Sequence, residues 1–71
     1  MLRNNIESSV FLSEGYDAVK QILELEFRND SAIWQYSKVS ARKYAQFKKA
    51  ESHGNFFVTK IKGKHSEKKI R

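Results

Sequence analysis

The sequence predicts a small α+β domain, in which an antiparallel β-meander of about three strands packs against one helix and a short C-terminal segment that is helical or extended. Apolar and polar residues alternate from Leu23 to Arg28, as in a strand with one buried face. Good helix formers follow Ser40 without a break. The chain has 71 residues, of which 39% are hydrophobic, enough for one modest core. A multidomain enzyme is therefore excluded.

The first predicted strand begins near Ser9. An apolar run from Val10 to Leu12 supplies its buried side chains. Gly15 and residues 17–18 are typical of a turn that leads into the next strand. We expect Val10 to point into the core.

A β-hairpin follows this strand. Leu23, Leu25 and Phe27 fall on one face of an extended chain. Asn29-Asp30 tolerates the positive φ angles of a tight turn. Residues 32–36 are rich in β-formers. The pattern predicts two antiparallel strands joined at Asn29-Asp30.

The hairpin register follows from the length of its loop. A two-residue loop at Asn29-Asp30 sets Leu25 opposite Trp34. The same register sets Leu23 opposite Tyr36, so that one face of the hairpin is apolar. A three-residue loop would break this match.

Ser40 is predicted to be the N-cap of a helix over residues 41–50. At 100° per residue, Tyr44, Phe47 and Lys48 lie toward one side of this helix. Arg42, Gln46 and Lys49 share the opposite side. We therefore expect a helix that packs through its aromatic residues and presents a basic outer surface.

Residues 55–62 fit two kinds of secondary structure. Phe57 and Ile61 have helical spacing, whereas Phe57, Thr59 and Ile61 also fit the alternation of a strand. β-Propensity favours the strand slightly. The sequence leaves this choice open.

The folded domain is predicted to span residues 1–65, followed by a flexible basic tail over residues 66–71. The large apolar residues of the predicted elements make up its core. This core comprises Val10, Leu23, Leu25, Phe27, Trp34, Tyr36, Val39, Tyr44, Phe47, Phe57 and Ile61.

Several of these signals stand in the order and spacing of one known family. They are Ser8-Ser9, Gly15-Tyr16-Asp17, the strand and turn over residues 23–29, Trp34-Gln35-Tyr36, a helix ending at Ala50, Ser52-His53-Gly54-Asn55-Phe56-Phe57, Ile61 and Gly63-Lys64. Together they resemble the KTSC domain, over roughly residues 5–65. That family is named for an extension at the C-terminus of some lysyl-tRNA synthetases, and it also occurs as free-standing bacterial or phage proteins. The resemblance implies a small domain with no established reaction, for which RNA binding has been suggested.

Charge is unevenly distributed along the chain. Residues 1–41 carry four basic and six acidic groups, whereas residues 42–71 carry ten basic and two acidic groups, a net charge of +8. This excess is larger than solubility needs and predicts contact with a polyanion, above all nucleic acid. The predicted phosphate-binding residues are Arg42, Lys43, Lys48, Lys49, Lys60, Lys62 and Lys64.

Four further residues are candidates for stacking on bases or for contact with a ligand through a loop. They are Trp34, Tyr36, His53 and Phe56. For Trp34 and Tyr36 the hairpin register favours core packing over stacking. The stretch around His53 is either an anion-binding loop or simply the joint between two elements.

The sequence shows no signature of an enzyme. His53 has no partner that would position it as a general base. Two histidines, no cysteine and no His-Glu-x-x-His spacing provide no metal site. We therefore predict no catalytic residues, no metal and no cofactor. No apolar run is long enough to span a membrane, and the lack of cysteine suits the cytoplasm, where we expect the protein to act without membrane contact.

The predicted function is that of a non-enzymatic accessory module. It would bind RNA, tRNA-like or single-stranded, through a C-terminal basic surface. The alternative is a protein-interaction adaptor, in one version encoded by a phage. Its basic surface or an exposed strand edge would then dock on an acidic partner protein.

Overall fold

An antiparallel sheet of five strands, in the order β1-β2-β3-β4-β5, is the framework of the protein. The computed structural model describes residues 2–71. The strands are β1 (Asn4–Asn5), β2 (Phe11–Asp17), β3 (Ile22–Phe27), β4 (Ile33–Tyr36) and β5 (Glu67–Lys69). Two helices and a π-helical turn cover one face of the sheet: α1 (Ala41–Lys49), α2 (His53–Phe56) and the π-helical turn (Phe57–Ile61). The α+β prediction is confirmed, with two strands more than the sequence predicted.

The predicted register of the β3–β4 hairpin is confirmed. Leu25 lies opposite Trp34 and Leu23 lies opposite Tyr36. The last backbone hydrogen bond of the hairpin, however, runs from the Phe27 amide to the Ala32 carbonyl oxygen at 2.9 Å, so the loop comprises the four residues 28–31. Because loops of two and four residues have the same parity, the longer loop leaves every side chain on its predicted face.

The left-handed residue of this loop is Ser31, with a φ of 58°, and not the Asn29-Asp30 pair. The Ser31 amide donates to the Phe27 carbonyl oxygen at 3.0 Å. The Asp30 side chain accepts from the Ala32 amide at 3.0 Å, which holds the end of the loop in place.

A β-bulge in β2 overturns the prediction that Val10 lies in the core. Val10 is 36% exposed, whereas Phe11 is fully buried opposite Phe27. The pairing shifts between Phe11 and Ser13, so one extra residue breaks the two-residue alternation. Glu14, three residues after Phe11, therefore shares the core-facing side of the strand.

Gly15 does not form a turn, because it lies buried inside β2. A Cβ atom at this position would come within 2.5 Å of the Leu2 carbonyl oxygen. The absence of a side chain thus lets the segment around β1 approach β2 closely.

We expect Gly15→Ala to lower the free energy of unfolding by about 1 to 3 kcal/mol and to loosen β1, because the Leu2 backbone must move away. Thermal unfolding and hydrogen exchange of the β1 and β2 amides measure both effects. Gly63→Ala is the control, since its Cβ would meet nothing within 4 Å. Because Gly63 has a left-handed φ of 79°, we expect Gly63→Ala to lower the free energy of unfolding by about 1 kcal/mol. It should leave β1 unchanged. If hydrogen exchange of the β1 amides is unchanged in Gly15→Ala, this result would contradict the close approach of the segment around β1 to β2.

Helix α1 forms as the sequence predicts. The Ser40 hydroxyl accepts from the Lys43 amide at 3.1 Å, which satisfies a free donor of the first turn. Phe47 is fully buried and Tyr44 is half-buried on the side that faces the sheet. The helix ends at Lys49, where the backbone of Ala50 becomes extended.

The segment that the sequence left open is helical, so the slight preference for a strand was wrong. The Ser52 hydroxyl caps α2 by accepting from the Asn55 amide at 3.2 Å. The π-helical turn closes with a bond from the Lys62 amide to the Phe57 carbonyl oxygen at 2.8 Å. Phe57 and Ile61 are both buried, which a helical spacing of four residues allows on one face.

Residues 66–71 do not form the flexible tail that was predicted. Their central part is β5, which pairs with β4 in antiparallel register and places Lys68 opposite Gln35. The Ile33 amide also donates to the Arg71 carbonyl oxygen at 2.7 Å. The side chains of β5 are exposed, so its order comes from backbone hydrogen bonds to β4.

The core lies between the sheet and the helical layer. Its fully or nearly buried members are Phe11, Leu23, Leu25, Tyr36, Val39, Phe47, Phe57 and Ile61. Phe27, Trp34 and Tyr44 pack against this cluster. Every predicted core residue except Val10 is thus part of the core or in contact with it.

None of the helices formed by residues 2–71 has the length and apolar character needed to cross a membrane.

Candidate nucleic-acid interface

The predicted phosphate-binding residues lie on α1, in the π-helical turn and in the segment that follows this turn. All are exposed except Lys43, which is half-buried. Arg42 and Lys49 lie on the outer side of α1, two turns apart. Lys62 and Lys64 flank Gly63 just beyond the π-helical turn.

Lys43 ties these two regions together. Its ammonium group donates to the Lys60 carbonyl oxygen at 3.1 Å and to Nε2 of His65 at 3.0 Å. Nδ1 of His65 donates to the Ser37 carbonyl oxygen at 3.0 Å. An ammonium group can only donate and a carbonyl oxygen can only accept, so in these two contacts Nε2 of His65 accepts and Nδ1 donates.

This arrangement places Lys43 beside the segment that carries Lys60, Lys62 and Lys64. We call this surface the basic end, and it comprises Lys43, Lys60, Lys62 and Lys64. The sequence alone gives no sign of this role of His65, because its two partners are 22 and 28 residues away along the chain. Contact between such distant residues becomes visible only in the fold.

The carboxylates that form ion pairs lie away from the basic end. Within the described chain, the two ion pairs are Arg3 with Glu24 and Arg71 with Glu26. Both carboxylates belong to β3 and point to the side of the sheet away from the helices. The positive charge of the basic end therefore has no ion-pair partner among residues 2–71.

The candidate stacking residues do not form an open aromatic platform. Tyr36 is 2% exposed and belongs to the core, so stacking on a base is excluded for it. Burial raises the pKa of the Tyr36 hydroxyl, and the negative charge of Glu67 raises it further. Trp34 is half-buried and packs against the core.

His53 and Phe56 lie in the first turn that follows Ser52 and are half-buried. Both rings pack against Phe47, with ring centroids 5.2 and 6.0 Å away. The stretch is therefore a helical joint in which His53 supports the core on one side. The other side of His53 lines a polar cavity.

The carboxylate of Glu14, for which the sequence predicts no role, is buried and lines this cavity. Glu14 is 3% exposed and accepts a hydrogen bond from the Tyr44 hydroxyl at 2.5 Å on Oε1. Burial, the hydrogen bond to Glu14 and the charge of Glu14 together raise the pKa of Tyr44. Tyr44 also stacks on Tyr16, with ring centroids 4.4 Å apart.

The cavity itself has a volume of about 320 Å³. Its polar lining comes from the N-terminal segment, β2, α1 and α2, and comprises Asn4, Asn5, Glu7, Glu14, Lys48 and His53. We call it the Glu14 cavity. Nothing in the sequence brings Glu14 close to His53, because strand alternation hides the β-bulge that turns Glu14 toward the helices.

No group of three metal-ligating side chains is present in the part of the chain that the structure describes. The Glu14 cavity combines two carboxylates, two carboxamides, an ammonium group and an imidazole, a set suited to hydrogen bonding with a polar organic ligand.

Comparison with known proteins gives a consistent result. The family model of the KTSC domain matches residues 7–65. The fold is similar to a crystal structure of a KTSC domain protein from Yersinia pestis, with 40% sequence identity, a TM-score of 0.93, and coverage of 99% of this chain and 97% of that one. No curated protein matches the chain.

Proposed function

We propose, from the premise that this chain belongs to the KTSC domain family, that it is a non-enzymatic module that binds RNA through its basic end and the adjoining outer surface of α1. The observation that supports this proposal is the gathering of Lys43, Lys60, Lys62 and Lys64 on one surface without acidic partners. Ammonium groups that lack such partners can take up phosphates and release the counterions of the nucleic acid.

The chemistry of the surface favours phosphate contact over base reading at the basic end. Lysine ammonium groups on flexible stems recognise charge and not base edges. Arg42, Lys48 and Lys49 extend the charge along α1, a distance of about 10 Å over seven residues. An RNA backbone that follows the basic end onto α1 would meet these residues in succession.

We expect the triple substitution of Lys60, Lys62 and Lys64 by glutamine to weaken single-stranded RNA binding by about tenfold or more at low salt. The slope of log affinity against log salt should fall by about 2, because each lost contact removes about 0.7. Fluorescence anisotropy of a labelled RNA over a salt series measures both quantities. The three side chains are exposed, so the fold should survive.

The matched control removes the same charge from other surfaces. Lys20→Gln, Lys68→Gln and Lys69→Gln alter the β2–β3 turn and the edge strand β5, where these side chains are also exposed. We expect this control to change affinity only slightly. An equal loss in both triple variants would contradict a localised interface.

An acidic protein partner is the competing interpretation of the same charge. The strand edges offer it little room, because the edge strands β1 and β5 have two and three residues. Competition separates the two interpretations: RNA displaces a captured protein from the basic end only if both use that surface.

A further inference from the structure

We infer that the Glu14 cavity binds a guanine base, as the free nucleotide or as a guanosine of a bound RNA strand. This inference rests on the proposed function and names the base that the strand would present next to α1. It is drawn from the hydrogen-bonding capacity of the cavity, its size and the cation at its rim.

The first support is the spare acceptor capacity of Glu14. Oε1 accepts from the Tyr44 hydroxyl at 2.5 Å, and Oε2 has only a long contact of 3.4 Å with the side-chain amide of Asn4. A carboxylate offers about four acceptor positions. Glu14 can therefore accept further N–H donors from a ligand in the cavity.

The second support is the match between a carboxylate and the guanine edge. Guanine presents its N1–H and its 2-amino group side by side, and two parallel N–H donors are what a carboxylate accepts most strongly. Adenine and cytosine place an acceptor beside their amino group, and uracil has a single N–H. The side-chain amides of Asn4 and Asn5, which line the same cavity, can donate to O6 of guanine.

The third support is the position of Lys48. Its ammonium group lies 5.5 Å from the centre of the Tyr44 ring, and Tyr44 is the partner of Glu14. A phosphate attached to a base in the cavity can thus meet Lys48, which lines the cavity. The volume of about 320 Å³ lies at the lower end of the range of small-ligand sites, about 300 to 1,000 Å³.

The decisive experiment compares GMP with IMP on the unaltered chain by isothermal titration calorimetry. IMP lacks only the 2-amino group, so we expect it to bind about tenfold or more weaker than GMP, the cost of one hydrogen bond to a charged acceptor. AMP should bind still more weakly. Equal affinities for GMP and IMP, or no binding of GMP, would overturn the inference.

The variants test whether Glu14 is the group responsible. Glu14→Gln keeps an oxygen that accepts from the Tyr44 hydroxyl but replaces the other acceptor oxygen by an amide N–H donor. It should therefore abolish the preference for GMP over IMP. Glu67→Gln, the same substitution at an exposed residue of β5 that does not line the cavity, should retain it. Circular dichroism verifies that both variants fold, and if Glu14→Gln does not, the GMP–IMP comparison still decides.

A second arm separates this inference from the proposed function. Uridine oligonucleotides with one central guanosine or inosine are titrated against the unaltered chain and the basic-end triple variant. Strong but equal binding of both oligonucleotides overturns the guanine site and leaves the phosphate interface standing. Binding of GMP without any RNA binding overturns the proposed function and leaves the cavity as a nucleotide site.

Discussion

Phe47→Ala is expected to lower the free energy of unfolding by about 3 to 5 kcal/mol. Phe47 is fully buried and is the side chain through which α1 contacts both the sheet and α2. Its ring lies 5.9 Å from Phe11 of β2 and 6.0 Å from Phe56 of α2. Alanine at this position would leave a cavity where the sheet, α1 and α2 meet.

Such a loss is a large part of the total stability. A chain of 71 residues is stabilised by about 4 to 11 kcal/mol in all, so Phe47→Ala leaves a marginal or unfolded protein. Urea denaturation monitored by circular dichroism gives the difference. Gln46→Ala, at the exposed neighbouring position of the same helix, should change stability by less than about 0.5 kcal/mol. A loss below about 1 kcal/mol for Phe47→Ala would show that α1 is not held to the sheet by this ring.

Arg3→Ala is expected to cost about 2 to 3 kcal/mol at neutral pH. The guanidinium of Arg3 forms an ion pair with Glu24 on the side of the sheet away from the helices, and it also donates to the Ser13 hydroxyl at 3.1 Å. Glu24 is 4% exposed, so the substitution leaves a buried carboxylate with Gln35 as its remaining partner. Because the Arg3 side chain is 26% exposed, water replaces part of what is lost and keeps the cost below that of a fully buried pair.

The same pair predicts how stability depends on pH. Burial by itself raises the pKa of Glu24, but hydrogen bonds from Gln35 and Arg3 and the charge of Arg3 outweigh it, so the pKa lies below its ordinary value of 4.5. A carboxyl group with a lowered pKa contributes stability that is fully present above 4.5 and is lost as the pH falls through the lower, folded-state value. The cost of Arg3→Ala should therefore shrink in acid, where Glu24 is protonated and needs no cation.

Thermal unfolding between neutral and acid pH measures this dependence. Arg71→Ala is the matched control, because Arg71 lies 3.7 Å from Glu26 on the same side of the sheet but its side chain is 67% exposed. It should cost less than about 1 kcal/mol, as exposed ion pairs do. Glu24→Gln should remove the part of the acid loss that comes from this carboxyl group. A cost of Arg3→Ala that stays constant down to acid pH would exclude Glu24 as its cause.

The sequence predicted correctly those features that depend on neighbouring residues. The register between Leu25 and Trp34 follows from alternation and the parity of a short loop, and it survived an error in the loop itself. The start of α1 follows from the side chain of Ser40, which can reach the amides of the first turn. The order of the motifs also identified the family.

The candidate interface was predicted in part. The excess of lysine after residue 41 is visible in the composition. The hydrogen bonds by which Lys43 joins Lys60 and His65 are not, because they connect residues 17 and 22 positions apart. The Glu14 cavity was missed for the same reason, since its lining comes from four separate elements.

The sequence by itself determined the α+β class, the hairpin register, helix α1 and the family. Only the tertiary structure decided the bulge that buries Phe11 and Glu14, the strand β5 in place of a tail, and the helical state of Phe57–Ile61. Each of these depends on a partner from a distant part of the chain: β3 for the bulge, the free edge of β4 for β5, and the aromatic core for the π-helical turn. Local patterns carry the preferences of the chain, whereas hydrogen-bond partners and packing surfaces exist only once the layers are assembled.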